Sequence, residues 1–419
     1  MLKYLILVVQ NALTLAILLS LLFALASASG GKKQRQGFAA GFLFGAVFAF
    51  VLAVLKSQTV LINREYWNIG ILSVALAAEI FYGVFVWSGL RRLSPAVREN
   101  GGRALYFVLT AALLVFALPD IFLYPGDFIL ADESLFSTDF LFKLIGYLAG
   151  LLIIGLSGIA LAKAGAGLPR KIIRLIVTIA LAVNAVDQVA TILQFLLARR
   201  IIPMSKPLFG FIKAAVNYGD FFLYIIMAVT MLLPVIAWLK SRHPRDDSAN
   251  PAERRKVLAL ARRRRRWCGV IAAGYVLSVF CLTAVRAYNE REVVLSPAEP
   301  MTIVGDEIGI PLESVSDGHL HRFAYTAQDG VEVRFIIIKK NANTDAYGVG
   351  LDACDICGPT GYYERGDSEV VCKLCDVVMN TNTIGFKGGC NPVPLAYTMN
   401  GGNMIIKTQS LEDESGRFS

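Results

Sequence analysis

The chain has 419 residues, 55% of them hydrophobic, a formal net charge of +9 and a mean hydropathy of +0.56. That balance excludes one large soluble core and points to membrane spans followed by a smaller soluble part. The positive charge does not call for nucleic acid. Its densest run, Arg262–Arg266, abuts an apolar stretch, the position of a topology anchor and a contact for anionic lipid head groups.

Eight stretches are long and apolar enough to cross a hydrocarbon layer of about 30 Å: 4–28, 37–56, 68–90, 104–123, 139–162, 173–198, 214–239 and 267–288. ALASASGG, Ala24–Gly31, has the look of a signal-peptidase site. The apolar run before it is longer than a usual h-region, so it reads as a span. Odd-numbered loops carry the cations: Lys32, Lys33 and Arg35, then Arg91, Arg92, Arg98 and Arg103, then Lys163, Arg170, Lys171 and Arg174, then the arginine run. The fourth loop has no Lys or Arg and carries Asp120, Asp127, Asp132, Glu133 and Asp139; the sixth, with Arg199, Arg200 and Lys206, fits less well. Retention of cations on the cytoplasmic side puts both termini outside. ERRKVLALARRRRR, 253–266, reads as an interfacial helix on the cytoplasmic face.

Ionisable groups within spans are costly and point to function or to helix-to-helix hydrogen bonds. Glu79 lies in span three, Asn184, Asp187 and Gln188 in span six, and Asn217 and Asp220 near the start of span seven. A polar path for a cation or proton and a set of bundle-fixing bonds are both open readings. The histidines are His243, His319 and His321, none in a span, which excludes a bis-histidine haem in the bilayer. Gly37, Gly41 and Gly45, and again Gly146 and Gly150, form small-residue ridges for close helix packing. Cys268 and Cys281 are about 20 Å apart along span eight and read as buried apolar thiols.

The predicted fold is therefore an all-α bundle of about eight transmembrane helices at 1–288, then a small β-rich, cysteine-bearing extracytoplasmic domain at 289–419. From Met301 the texture is MTIVG, VEVRFIIIKK, AYGVGLDA, EVVCKL and NMIIKT, separated by turn signals. Pro297 and Pro300 suggest a short stiff linker. Cys354 and Cys357 form one Cys-x-x-Cys, Cys372 and Cys375 a second after fourteen residues, and Cys390 follows after fourteen more. Two facing knuckles give a four-sulfur site suited to zinc or to iron–sulfur. Gly358 stands where a knuckle needs a positive φ. Thiol–disulfide chemistry is the alternative. Cys390, among glycines in GFKGGCNPVPL, is a ligand, an exchange partner or a packed thiol. His319 and His321 share a face if extended and suggest a second metal site, which Met379 and Met399 would extend to copper.

DGHLHRFAY, LDACDICGPTGY and VVCKLCDVVMNTNTIGFKGGCNPVPL together resemble the FtrD-like family of membrane iron–sulfur proteins over most of 310–410. The resemblance implies an iron–sulfur cluster on Cys354, Cys357, Cys372 and Cys375, with Cys390 a further candidate ligand. It also implies an electron carrier rather than a stand-alone enzyme, in the cytoplasmic membrane of a bacterium. Its implied partners are a high-affinity iron permease and a periplasmic iron- and copper-binding protein. The rival readings are a structural zinc domain that docks a permease, and a periplasmic thiol–disulfide or copper-handling protein.

Overall fold

The computed structural model describes all residues except 1, 29–31, 59–62, 88–93, 129–137, 204, 243–249, 290, 292, 342–344, 366–368, 376, 389 and 419, and except the side chains at 64, 95, 127 and 139. Arg91, Arg92, Asp132, Glu133, His243 and the end of ALASASGG thus lie outside the described residues, as do the side chains of Asp127 and Asp139. The chain forms two compact units, Met1–Glu290 and Arg291–Ser419.

The first unit is helical: α1 (Leu2–Ala28), α2 (Lys32–Gln58), α3 (Arg64–Trp87), α4 (Pro95–Leu123), α5 (Thr138–Gly165), α6 (Arg170–Ala198), α7 (Lys206–Asn217), α8 (Gly219–Arg242), α9 (Pro251–Phe280) and α10 (Arg286–Asn289). Eight of its helical stretches are long and apolar enough to span. Starts are marked as helix chemistry requires: Ser94 and Asn250 accept from Val97 and Ala252 main-chain N–H groups, each ahead of a proline in the first turn. α1 is apolar on every side and is buried along most of its length among α4, α5, α6 and α8.

Two expectations about the helices change. The seventh span starts at Gly219, because Tyr218 leaves helical geometry and residues 206–217 form the separate short helix α7. The arginine-rich segment is not a separate interfacial helix. No glycine or proline interrupts it before the span, so α9 runs unbroken from Pro251 to Phe280 and then passes through a five-residue π turn, Cys281–Val285, into α10. Cys268 and Cys281 are both buried.

The glycine ridge of α2 lies against α4. A Cβ on Gly41 would sit 2.5 Å from the Phe107 main-chain oxygen, and one on Gly45 2.9 Å from Leu114 Cβ. Gly150 of α5 meets Val8 of α1 in the same way. Gly41→Val should therefore separate α2 from α4, with a loss of about 1–3 kcal/mol from overpacking. A lowered thermal midpoint in detergent checks this, and Gly155→Val, where a Cβ meets open space, serves as the control.

The second unit has three antiparallel sheets. β1 (Thr302–Val304), β2 (Glu307–Pro311), β10 (Asn403–Lys407) and β9 (Thr398–Asn400) make the first, in that order. β3 (His321–Thr326), β4 (Glu332–Lys339) and β5 (Tyr347–Leu351) make the second, and β6 (Tyr362–Arg365), β7 (Glu369–Cys372) and β8 (Val378–Asn380) the third. A short helix α11 (Thr408–Glu412) follows β10. β4 explains the run VEVRFIIIKK, because both its faces are covered. Val333, Phe335 and Ile337 enter the core shared with Ile308, Phe323 and Met404, while Ile336 and Ile338 enter a second core with Cys354, Tyr362, Cys372 and Ile384.

Candidate functional site

Three loops converge on the second core. The first knuckle follows β5: Cys354 and Gly358 exchange main-chain hydrogen bonds of 3.2 and 3.1 Å, and Gly358 has φ +70°. That closed turn directs the Cys357 N–H at Cys354 Sγ, 3.0 Å away. The second knuckle leaves β7 at Cys372, opposite Tyr362 in register. The third loop brings in Cys390, whose carbonyl accepts from Tyr362 Oη at 2.7 Å.

The thiols form two overlapping triads. The sulfurs of Cys354, Cys357 and Cys372 lie within 4.8 Å of one another, and so do those of Cys357, Cys375 and Cys390. Cys375 and Cys390 are 3.6 Å apart, sulfur to sulfur. Cys357 belongs to both groups. A tetrahedral ion with metal–sulfur bonds of about 2.3 Å needs sulfurs about 3.8 Å apart, so this donor set is gathered as a soft metal centre requires. Burial runs from Cys354 and Cys372, buried, through Cys357 and Cys390 to Cys375, exposed.

Electrostatics divide the thiols. Burial works against ionisation of Cys354, but the Cys357 and Ile356 N–H groups outweigh it and hold its pKa below the usual thiol value. Burial likewise opposes ionisation of Cys375, and the Val377 N–H helps to lower it. Cys357 is raised, first by its hydrogen bond to Cys375, and Cys390 is pushed up to about 11 by burial and by Cys375. Backbone donors thus favour thiolates at one sulfur of each knuckle before any ion binds.

A charged cradle, not apparent from the cysteine pattern, fixes the first knuckle. Asp352, fully buried two residues before Cys354, accepts from Arg322 Nε at 2.9 Å and from Arg334 Nε at 3.4 Å, while its other oxygen accepts the Tyr362 N–H at 2.8 Å. Arg322 is buried too, and it also donates to the Tyr362 carbonyl, to the Ser296 carbonyl at 2.7 Å and to Ser296 Oγ at 2.6 Å. Glu299 N–H donates to the Arg322 carbonyl at 2.7 Å. Residues 296–299 are therefore tied to β3 rather than forming a free linker. The signal in sequence is a charge at an inward position of an apolar strand, in HRFAY and again in GLDAC.

Residues 315–418 match the family model described as membrane iron–sulfur containing protein FtrD-like. No curated protein and no solved structure matches the chain.

The two histidines of the matched region are engaged by carboxylates, and neither joins the thiol groups. His319 Nδ1 is 3.0 Å from Glu364. His321 Nδ1 is 2.9 Å from Glu299 and its Nε2 2.8 Å from Asp317, so both ring nitrogens are taken. Met379 is packed in the second core and Met399 is exposed on β9. Burial works against a charged His321, but the two carboxylates outweigh it and raise its pKa above 6.5. Burial also opposes ionisation of Asp317, and His321 outweighs it to lower that pKa below 3.8. The sign follows from linkage. The His321 contribution is complete below about pH 6.5 and is lost as pH rises through the raised value. That of Asp317 is complete above about pH 4 and is lost as pH falls through the lowered one. The domain should thus be most stable between these limits, and His321→Gln should flatten the alkaline arm in thermal melts against pH.

Within the bundle the polar residues form two groups that share Asn184. Asn184 Nδ2 and Gln188 Nε2 both donate to Glu79 Oε1, at 2.8 and 2.9 Å, which binds α6 to α3. Asp187 and Asp220 line, with Asn184, a cavity beside α1 and α8.

Proposed function

We propose that the C-terminal unit holds iron on its gathered thiols and passes single electrons during bacterial iron transport, as an electron carrier and not as a stand-alone enzyme. Cys354, Cys357, Cys372 and Cys375 would hold the iron, with Cys390 close enough to exchange. The observation that carries this reading is the convergence of five sulfurs from three loops through the shared Cys357, together with the FtrD-like match. Bound iron–sulfur supplies one-electron chemistry at a potential set by its surroundings. The chain supplies N–H donors to sulfur, a buried Asp352–Arg322 cradle that fixes the knuckle, and a graded exposure that brings Cys375 to the surface. The helices anchor the unit in the cytoplasmic membrane with both termini outside, where a high-affinity iron permease and a periplasmic metal-binding protein are the partners.

One observation favours a second reading. The sulfur spacing within each triad is near that of a single tetrahedral ion. A structural zinc would fit that spacing. Full-length protein purified in detergent without oxygen decides between them by iron, acid-labile sulfide and zinc analysis with a visible spectrum. Iron with sulfide and a band that bleaches on reduction is the expected result. One equivalent of zinc without visible absorption would overturn the electron-carrier reading.

A further inference from the structure

Two cavities of the helical unit meet at Phe222, which lines both. The first, about 350 Å³, is polar and is lined by Gln10, Asn184, Asp187, Asn217, Asp220 and Arg286. Asp220 is already paired there, accepting from Gln10 Nε2 at 3.2 Å and from Arg286 Nη1 at 2.6 Å. The half-buried Asp187 carboxylate has no side-chain partner among the described residues. The second, about 570 Å³, is a shallow apolar groove open to the outside of the bundle, with the exposed Val186, Phe211, Tyr218 and Phe221 and the half-buried Ala215 in its wall. Val186 and Asp187 are successive residues of α6, one facing each cavity. Both volumes are in the usual range for small-molecule sites, about 300–1,000 Å³.

We infer that the paired cavities bind a quinol. Its ring and hydroxyls would occupy the polar cavity, with one hydroxyl donating to Asp187, and its isoprenoid tail the apolar one. A phosphate-bearing lipid suits the site poorly, since its anion would face Asp187 and Asp220 with only the already paired Arg286 to offset them. A bare cation would leave the apolar cavity without a role. A neutral ring carrying hydroxyl donors on an apolar tail satisfies both cavities. The choice of a redox-active ring rests on the electron-transfer reading above, in which a bilayer carrier or a partner protein must supply electrons because no histidine lies in a span to hold a haem.

The test is equilibrium binding of a decyl-tailed benzoquinol and of the matching quinone, without oxygen, to the full chain in phosphatidylcholine nanodiscs, corrected for partition into empty discs. Saturable binding near one equivalent is expected, tighter for the quinol. Asp187→Asn should weaken quinol binding about tenfold, the worth of a charge-assisted hydrogen bond, and change quinone binding less than threefold. Ala215→Trp, which fills the apolar cavity, should weaken both about tenfold. Absence of saturable binding overturns the inference. So does full displacement by a decyl alcohol with no response to Asp187→Asn, which would make the cavities a lipid slot. The readout is binding, so zinc in the cysteine-bearing unit would sink the electron-carrier reading without altering this result, and failure to bind quinol would leave an iron-loaded unit intact.

Discussion

Asp352→Ala is expected to destabilise the C-terminal unit by about 3–5 kcal/mol, because it strands a buried guanidinium. Arg322 is 2% exposed and Asp352 is fully buried, so solvent cannot replace the lost partner. Denaturant unfolding followed by limited proteolysis within 291–419 reads the loss directly. The same change frees the Tyr362 N–H and releases the strand end that carries Cys354, so metal retention should fall with stability. Replacing both partners with apolar residues, Arg322→Met with Asp352→Leu, should recover much of the loss, since the damage in the single variant comes from the unpaired charge. If the single change costs less than about 1 kcal/mol, the range of an exposed pair, the cradle does not organise the knuckle.

Cys357→Ser should abolish metal retention, whereas Cys390→Ser should leave at least one metal centre. Cys357 is the one sulfur common to both triads, so its removal breaks each of them, while Cys390 belongs to one. Loss of even an outer-shell contact costs about 10–100-fold in metal affinity, and a ligand shared by both groups should cost more. Metal content after exposure to a chelator ranks the two variants. Equal loss in both would make Cys390 a full ligand and not an exchange partner. Near-normal retention in Cys357→Ser would mean that Cys357 is not a ligand and that neither triad holds the metal.

The legible parts were those whose signal is local. Apolar runs of twenty or more residues mark the eight spans whatever surrounds them, and small residues every fourth position mark the face α2 turns to α4. Paired cysteines announce their knuckles, and Gly358 announces the turn that closes the first. The break at Tyr218 was hidden because α7 and α8 are both apolar, so hydropathy runs through it. Continuity of α9 was hidden for the opposite reason: its charge changes abruptly at Trp267 while its helix does not. Asp352 and Arg322 are thirty residues apart and become partners only when β3, β4 and β5 pair. His321 looked like a ligand in sequence, and in the fold the carboxylates of Asp317, four residues before it, and Glu299, twenty-two before it, occupy both its nitrogens.

Burial of α1 at the centre of the bundle bears on how the protein is made. α1 is synthesised before α5, α6, α8 and the turn after α9, the segments on which it packs. At about 5–20 residues per second, synthesis of the rest of the helical unit takes tens of seconds. Through that interval α1 must rest in lipid or against an insertion factor, with Gln10 and Asn11 still lacking their eventual partners Asp220 and Tyr124. Completion of the bundle therefore waits for α9, the last long helix of the unit. Variants that weaken the α1 seam should be cleared by membrane proteases before they are ever assembled.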